Sequence, residues 1–275
     1  MRDLEGRVAI ISGGSSGIGA ALARAFARER VRVALLARRE GPLRALAQEL
    51  AAQGVEVLPI PTDVTQEEAV QAAVDRTVDR WGRLDIVVAN AGQYVRKPVT
   101  AWTVEDFQRS CAVNFYGALH LVLAALPVLR RQREGHIVLM SSLDAKKGLP
   151  LDGPYVAAKY ALSGIGGVMR QELRDEGIDV TVVYPGRVDT PMIANLKVPW
   201  ISPKLPPEKV ARAVLKAIRK RKAEVIVPWT GYLLYLDLLA PRLADYLVKK
   251  LGLSGEPHPA SGPTHPPEAE NGTHR

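Results

Sequence analysis

Apolar residues along this chain gather in short runs, each followed by a longer stretch in which apolar positions return every three or four residues. The runs fall at 7–12, 31–37, 55–60, 85–89, 136–141, 178–184 and 224–227, and are rich in Val, Ile, Leu and Ala. A strand with one wet face alternates apolar and polar residues, whereas a strand covered on both faces reads as a continuous apolar run. Strand-like runs separated by helical stretches predict an α/β fold, a doubly wound parallel sheet of about seven strands with helices on both faces. With 275 residues and 47% hydrophobic content the chain can bury one substantial core. The expectation is a single domain over 1–252, including an irregular proline-rich loop at 191–207 and an apolar terminal segment at 231–251. The remaining 253–275, rich in proline, glycine, histidine and acids, is expected to be disordered.

Ligands of such a sheet bind beyond the carboxyl ends of its strands. The first strand runs into Gly13-Gly14-Ser15-Ser16-Gly17-Ile18-Gly19 and then into an amphipathic helix. Small residues there let backbone amides at the helix start approach a pyrophosphate closely. The spacing is Gly-x-x-x-Gly-x-Gly rather than the common Gly-x-Gly-x-x-Gly, so the strand leading in and the helix leading out carry the assignment. Just past the second strand stands Arg38, followed by Arg39, with no acid before Glu40. An acid there would bond a free ribose 2′-hydroxyl; an arginine grips a 2′-phosphate instead. This favours NADP(H) over NAD(H), with Ser15 or Ser16 adding a hydroxyl.

Tyr155 and Lys159 are four apart in a helix suggested by Ala157, Ala158, Ala161 and Leu162, which puts phenol and ammonium on one face. A free phenol titrates near pH ~10, and a cation one turn away is expected to pull that value down into a usable range. Ser142, just beyond the fifth strand, offers a hydroxyl to hold a substrate oxygen beside the phenol.

Taken in order, these motifs resemble those of the short-chain dehydrogenases/reductases, over roughly residues 5–230. The resemblance includes Asp63-Val64, Asn90-Ala91-Gly92, Asn114 within a long helix, Ser142, Tyr155, Lys159, and Pro185-Gly186-Arg187-Val188-Asp189-Thr190 after the sixth strand. Ser12 stands where that family often has threonine, and Ala89 where a second asparagine is common. The likeness implies a Rossmann-type fold and a cofactor site of Gly13, Ser15, Ser16, Gly17, Ile18, Gly19, Arg38, Asp63, Val64, Asn90, Ala91, Gly92, Pro185, Gly186, Val188 and Thr190. It also implies that Asp63 accepts from the adenine amino group, that Thr190 bonds the nicotinamide amide, and that Lys159 bonds the nicotinamide ribose. Asn114 would hold a water linking that lysine to solvent. The implied reaction interconverts a ketone and a secondary alcohol with NADP(H), with Asn114, Ser142, Tyr155 and Lys159 catalytic and carbonyl reduction favoured. The prolines of 191–207 with Met192, Ile193 and Trp200 suit an apolar substrate. Two alternatives stand beside this: a lipid reductase on a membrane surface, and a dinucleotide-binding scaffold without turnover.

Composition narrows partners more than chemistry. The lone Cys111 excludes an internal disulfide and reads as a packed core residue, and no metal site is expected. The net charge of +8 is scattered, with no aromatic-interleaved basic stripe, so nucleic-acid binding is not expected. The start carries acids and no apolar core of a secretory signal, and the nearest approach to a spanning segment is taken to be 232–240, so a cytoplasmic protein is expected. Leu119, Val122, Leu123, Ile165 and Val168, on the helices holding Asn114 and Tyr155, are the expected faces of a homodimer or homotetramer.

Overall fold

Each of the seven apolar runs becomes a strand in the computed structural model, which describes residues 3–257. They are β1 Val8–Ser12, β2 Arg32–Ala37, β3 Val57–Pro61, β4 Ile86–Ala89, β5 Gly135–Met140, β6 Ile178–Pro185 and β8 Glu224–Val227. They hydrogen-bond in the order β3-β2-β1-β4-β5-β6-β8, with every neighbouring pair parallel. A second, two-residue pairing joins β7 Leu196–Lys197 to β9 Glu256–Pro257, antiparallel.

Strand geometry sends successive side chains to opposite faces, and helices cover both. On one face Ala9, Ile11, Val33 and Leu35 pack under α1 Gly17–Arg28, α2 Glu40–Ala51 and α7 Pro207–Lys220, through Leu22, Phe26, Leu43, Val214 and Ile218. On the other, Val8, Ile10, Ala34 and Leu36 meet α3 Glu67–Trp81, α5 Gly117–Gln132 and α6 Gly153–Glu172, through Val74, Leu121, Leu129 and Leu162. The order reverses at β1, between β2 and β4, which opens the crevice where such sheets hold ligands.

The opposite end of the sheet is locked by a buried carboxylate. Asp85 takes Arg83 through two bonds of 2.9 and 2.6 Å, Arg7 at 2.9 Å and the Val8 amide at 2.9 Å. Burial alone would raise its pKa, but these donors together hold the carboxyl below its ordinary range.

Several expectations need correction. The long helix is interrupted, because α4 Val104–Cys111 passes through a π-helical turn, Ala112–Tyr116, before α5 begins. The stretch Val104–Gln132 contains an 18-residue window of mean hydropathy 1.8, so it, not 232–240, comes nearest to spanning length, and half of that window is buried in this fold. Of the positions expected at a subunit contact, Val122 packs into the core, whereas Leu123 and Val168 are exposed. Cys111 is only half-buried.

The terminal segment folds back as a 3-10 helix, Trp229–Leu238, and α8 Pro241–Lys250. Disorder from 253 onward does not hold for 253–257. Arg187 donates to the Leu253 carbonyl, Arg96 donates to those of Ser254 and Gly255 at 2.6 and 2.8 Å, and β9 follows. These carbonyls find guanidinium partners from the body of the domain, which composition alone could not indicate. The rest of the expected tail, 258–275, lies outside the described residues.

Candidate active site

The glycine turn is shaped by how closely other backbone approaches it. Gly13 has φ +67°, and a Cβ there would stand 2.9 Å from Ala91 Cα. A Cβ at Gly19 would stand 2.2 Å from the Gly13 carbonyl oxygen, so no side chain fits without moving the turn. Ser12 and Asn90 fix the neighbouring strand end. Ser12 Oγ accepts the amides of Asn90 and Ala91, each at 3.0 Å, and Asn90 Nδ2 donates to the Ser12 carbonyl at 2.9 Å. Serine thus fills the threonine position with its hydroxyl fully used. The helix that follows has no side-chain cap at Ser16, so its first amides remain available to an anion. A cradle that a Cβ would fill, at the start of an uncapped helix, fits a dinucleotide pyrophosphate.

Every residue expected at the site except Gly19 and Asn114 lines one cavity of about 660 Å³. Gly19 sits directly behind the turn. Asn114 is fully buried in the π-helical turn, where its amide nitrogen donates to the carbonyls of Ser110 and Gln93 at 2.9 and 2.8 Å, and its oxygen accepts the Gln93 amide at 3.1 Å. It therefore secures the Gln93 backbone, immediately behind the cavity-lining Gly92. Arg38 and Arg39 both face the cavity; Arg38 Nη1 is 4.0 Å from Asp63, and Arg39 Nη2 reaches Ser16 Oγ at 3.5 Å.

Tyr155 and Lys159 share one face of α6, the ammonium 5.6 Å from the ring centroid. Lys159 Nζ donates to the Met140 carbonyl at 2.8 Å, which holds it against the end of β5. The expected depression of the phenol pKa is not found. Burial pushes the Tyr155 phenol above its ordinary value, Asp144 and Asp152 add to this, and only Ser142 works the other way. Burial also pushes Lys159 down, to about 8, against the attraction of Asp144. At this depth desolvation outweighs the pairing inferred from spacing. The consequence is a phenol that keeps its proton at neutral pH, as a proton donor requires.

Charged groups not anticipated from sequence stand beside these residues. Asp144 and Asp152 line the cavity with Arg187. Tyr94, whose ring meets that of Tyr155 edge-on at 5.1 Å, donates to Asp152 at 2.7 Å, and Arg96 lies 3.2 Å from the same carboxylate. Burial and the neighbouring Asp144 push Asp152 up to about 7. Val248 and Leu253 from the terminal segment close the far side. The available signals were Asp144 standing two residues beyond Ser142 and Arg187 inside the Pro185-Thr190 motif.

Comparison with known proteins agrees with this geometry. A family model described as short chain dehydrogenase matches residues 7–199. An uncharacterized oxidoreductase of Staphylococcus haemolyticus is 36% identical over 218 residues, spanning 79% of this chain and 93% of its own. The structure of an alcohol dehydrogenase from the archaeon Thermococcus sibiricus, complexed with 5-hydroxy-NADP, superposes with a TM-score of 0.73 at 31% identity, covering 81% of this chain and 96% of that one. A short-chain dehydrogenase/reductase from Burkholderia phymatum, in complex with NAD, shares the fold with a TM-score of 0.78 at 24% identity, covering 96% of this chain and all of its own, 100%.

Proposed function

The chain belongs to the short-chain dehydrogenase/reductase family, and from that premise we propose that it is a cytoplasmic, NADP(H)-dependent reductase of a ketone with an apolar body. The observation that carries this is the presence of Tyr155, Ser142 and Lys159 in the same cavity as the glycine turn. Gly13 to Gly19 would hold the pyrophosphate. Arg38, with Arg39 and Ser16 beside it, would meet a 2′-phosphate; Asp63 and Val64 would flank the adenine, and Thr190 the nicotinamide end. When bound, the cofactor supplies the hydride.

The protein's own groups handle the proton and the geometry. Tyr155 holds the proton destined for the carbonyl oxygen, and burial keeps it there at neutral pH. Ser142 orients that oxygen. Lys159 keeps a positive charge below the phenol, and Asn114 keeps the Gln93 backbone in register. Leu143, Leu149, Met192, Ile201 and Leu253 support an apolar substrate body. The exposed Leu123 and Val168 support assembly into a homodimer or homotetramer.

The test is a ketone panel with NADPH and NADH, followed by loss of nicotinamide absorbance, in wild type and Tyr155→Phe. Loss of one general acid should cut turnover by ~10² to 10⁴ while leaving cofactor binding intact. Near-normal turnover in the variant would refute the role of Tyr155, and no turnover of any ketone by wild type would favour the scaffold alternative.

One observation favours a second function, reduction of a lipid at a membrane surface. Trp229 and Leu239 on the terminal segment are 74% and 83% exposed, and Trp200 stands exposed on the substrate loop. Liposome flotation of the full chain separates the two, since only the second requires binding.

A further inference from the structure

The hydroxyl of Ser142 is already engaged. Ser142 Oγ donates to Asp144 Oδ2 at 3.0 Å and accepts the Asp144 amide at 3.1 Å. A serine hydroxyl has one proton and two lone pairs. With the proton given to a carboxylate, only one lone pair is left, and a lone pair cannot hold a carbonyl oxygen. A plain ketone entering this site therefore meets an orienting group whose donor points elsewhere.

Among the described residues Asp144 makes no other hydrogen bond, and it lines the cavity. Its place two residues past Ser142 sets it beside the position a reacting carbonyl must take against Tyr155 and Ser142. Burial pushes the Asp144 carboxyl above its ordinary range, while the hydrogen bond from Ser142 and the nearby cations Arg187, Arg96 and Lys159 favour its negative charge, and Asp152 adds a second carboxyl nearby. A cationic substrate group would face those cations, and an anionic one would face both carboxyls. A neutral donor suits the spot best.

We infer that Asp144 is a specificity-determining residue that selects ketones bearing a hydroxyl on the carbon next to the carbonyl. The inference rests on the carbonyl-reductase function proposed above. The substrate hydroxyl donates to Asp144 and takes over the role of the Ser142 proton, and Ser142 turns its own proton toward the carbonyl oxygen. The substrate thereby completes the site that reduces it. No bond is made or broken in this exchange of hydrogen bonds.

The test compares 2-hydroxyacetophenone with acetophenone, which share an apolar ring and differ by one hydroxyl, in wild type, Asp144→Ala and Tyr155→Phe. The wild type should prefer the hydroxyketone in kcat/KM by about five- to tenfold, the scale of one hydrogen bond that the plain ketone cannot make. In Asp144→Ala that ratio should fall toward one, with the hydroxyketone losing and the plain ketone gaining as the serine proton is released. Both ketones are read on the same preparation, so partial unfolding would lower both rates and leave the ratio alone. Equal use of the two ketones by wild type, or a preference that survives in Asp144→Ala, would overturn the inference while leaving carbonyl reduction standing. Undiminished reduction in Tyr155→Phe would overturn the inference by removing the Tyr155 geometry it is built on, and reduction of neither ketone by wild type would remove the carbonyl-reductase function and this inference with it.

Discussion

Lys159 should impose an alkaline limit on the reaction that can be told apart from unfolding. Burial brings its ammonium from 10.5 to about 8. With ionisation there, roughly nine-tenths of the molecules carry the charge at pH 7 and roughly one-tenth at pH 9. If the charged form supports cofactor and substrate, kcat/KM for reduction should fall about tenfold between those values, because that parameter reports the free enzyme. Stability should move the other way. A lysine whose folded pKa is lowered binds fewer protons folded than unfolded between about 8 and 10.5, so folding gains stability as pH rises through that window. A melting temperature that holds or rises while the rate falls would identify local titration. Lys159→Arg, charged throughout, should lose this limb of the profile at reduced overall activity. A rate flat from pH 7 to 9.5, or an unchanged limb in Lys159→Arg, would refute the assignment.

Gly19→Ala should weaken cofactor binding at least tenfold by fluorescence titration, since its Cβ would meet a backbone oxygen at 2.2 Å and the turn must shift. Arg38→Asp should remove a charge-assisted contact worth ~1.5 to 3 kcal/mol and move preference toward NADH; equal NADH and NADPH affinity in wild type would sink the cofactor proposal. Asp85→Ala should cost ~1 to 3 kcal/mol in urea unfolding, because the buried Val8 amide loses its acceptor while Arg7 keeps Glu134 and Arg83 can turn to solvent. The same carboxylate has a lowered pKa when folded, so its stabilisation is present above the ordinary carboxylate range and is lost as pH falls through the folded value.

The cofactor side of this site was legible in sequence because a parallel sheet converts a one-dimensional order into a place. Once strands 7–12, 31–37 and 85–89 are recognised, whatever follows each must sit at one edge, and Gly13, Arg38 and Asn90 do. The strand limits differ by only a residue or two, as at β3, where 55–60 becomes Val57–Pro61. Periodicity also predicts which helix faces are apolar, though not how wide the buried stripe is. That is why Val122, one residue from the exposed Leu123, was placed on the wrong side.

What spacing could not supply was depth. Tyr155 and Lys159 four residues apart imply an attraction whose strength depends on the surrounding medium, and the same burial that brings the groups together penalises the charge on each. The pair is therefore present as expected, with the phenol shifted the opposite way. The substrate wall was hidden for a different reason. Asp144 and Asp152, Arg187, and Leu253 come from three separate connections, and only tertiary closure brings them into one cavity. An isolated Asp four residues past a strand reads as a turn former in any sequence. Only when its carboxylate is found holding the proton of Ser142 does it become a statement about which oxygen the site expects to receive.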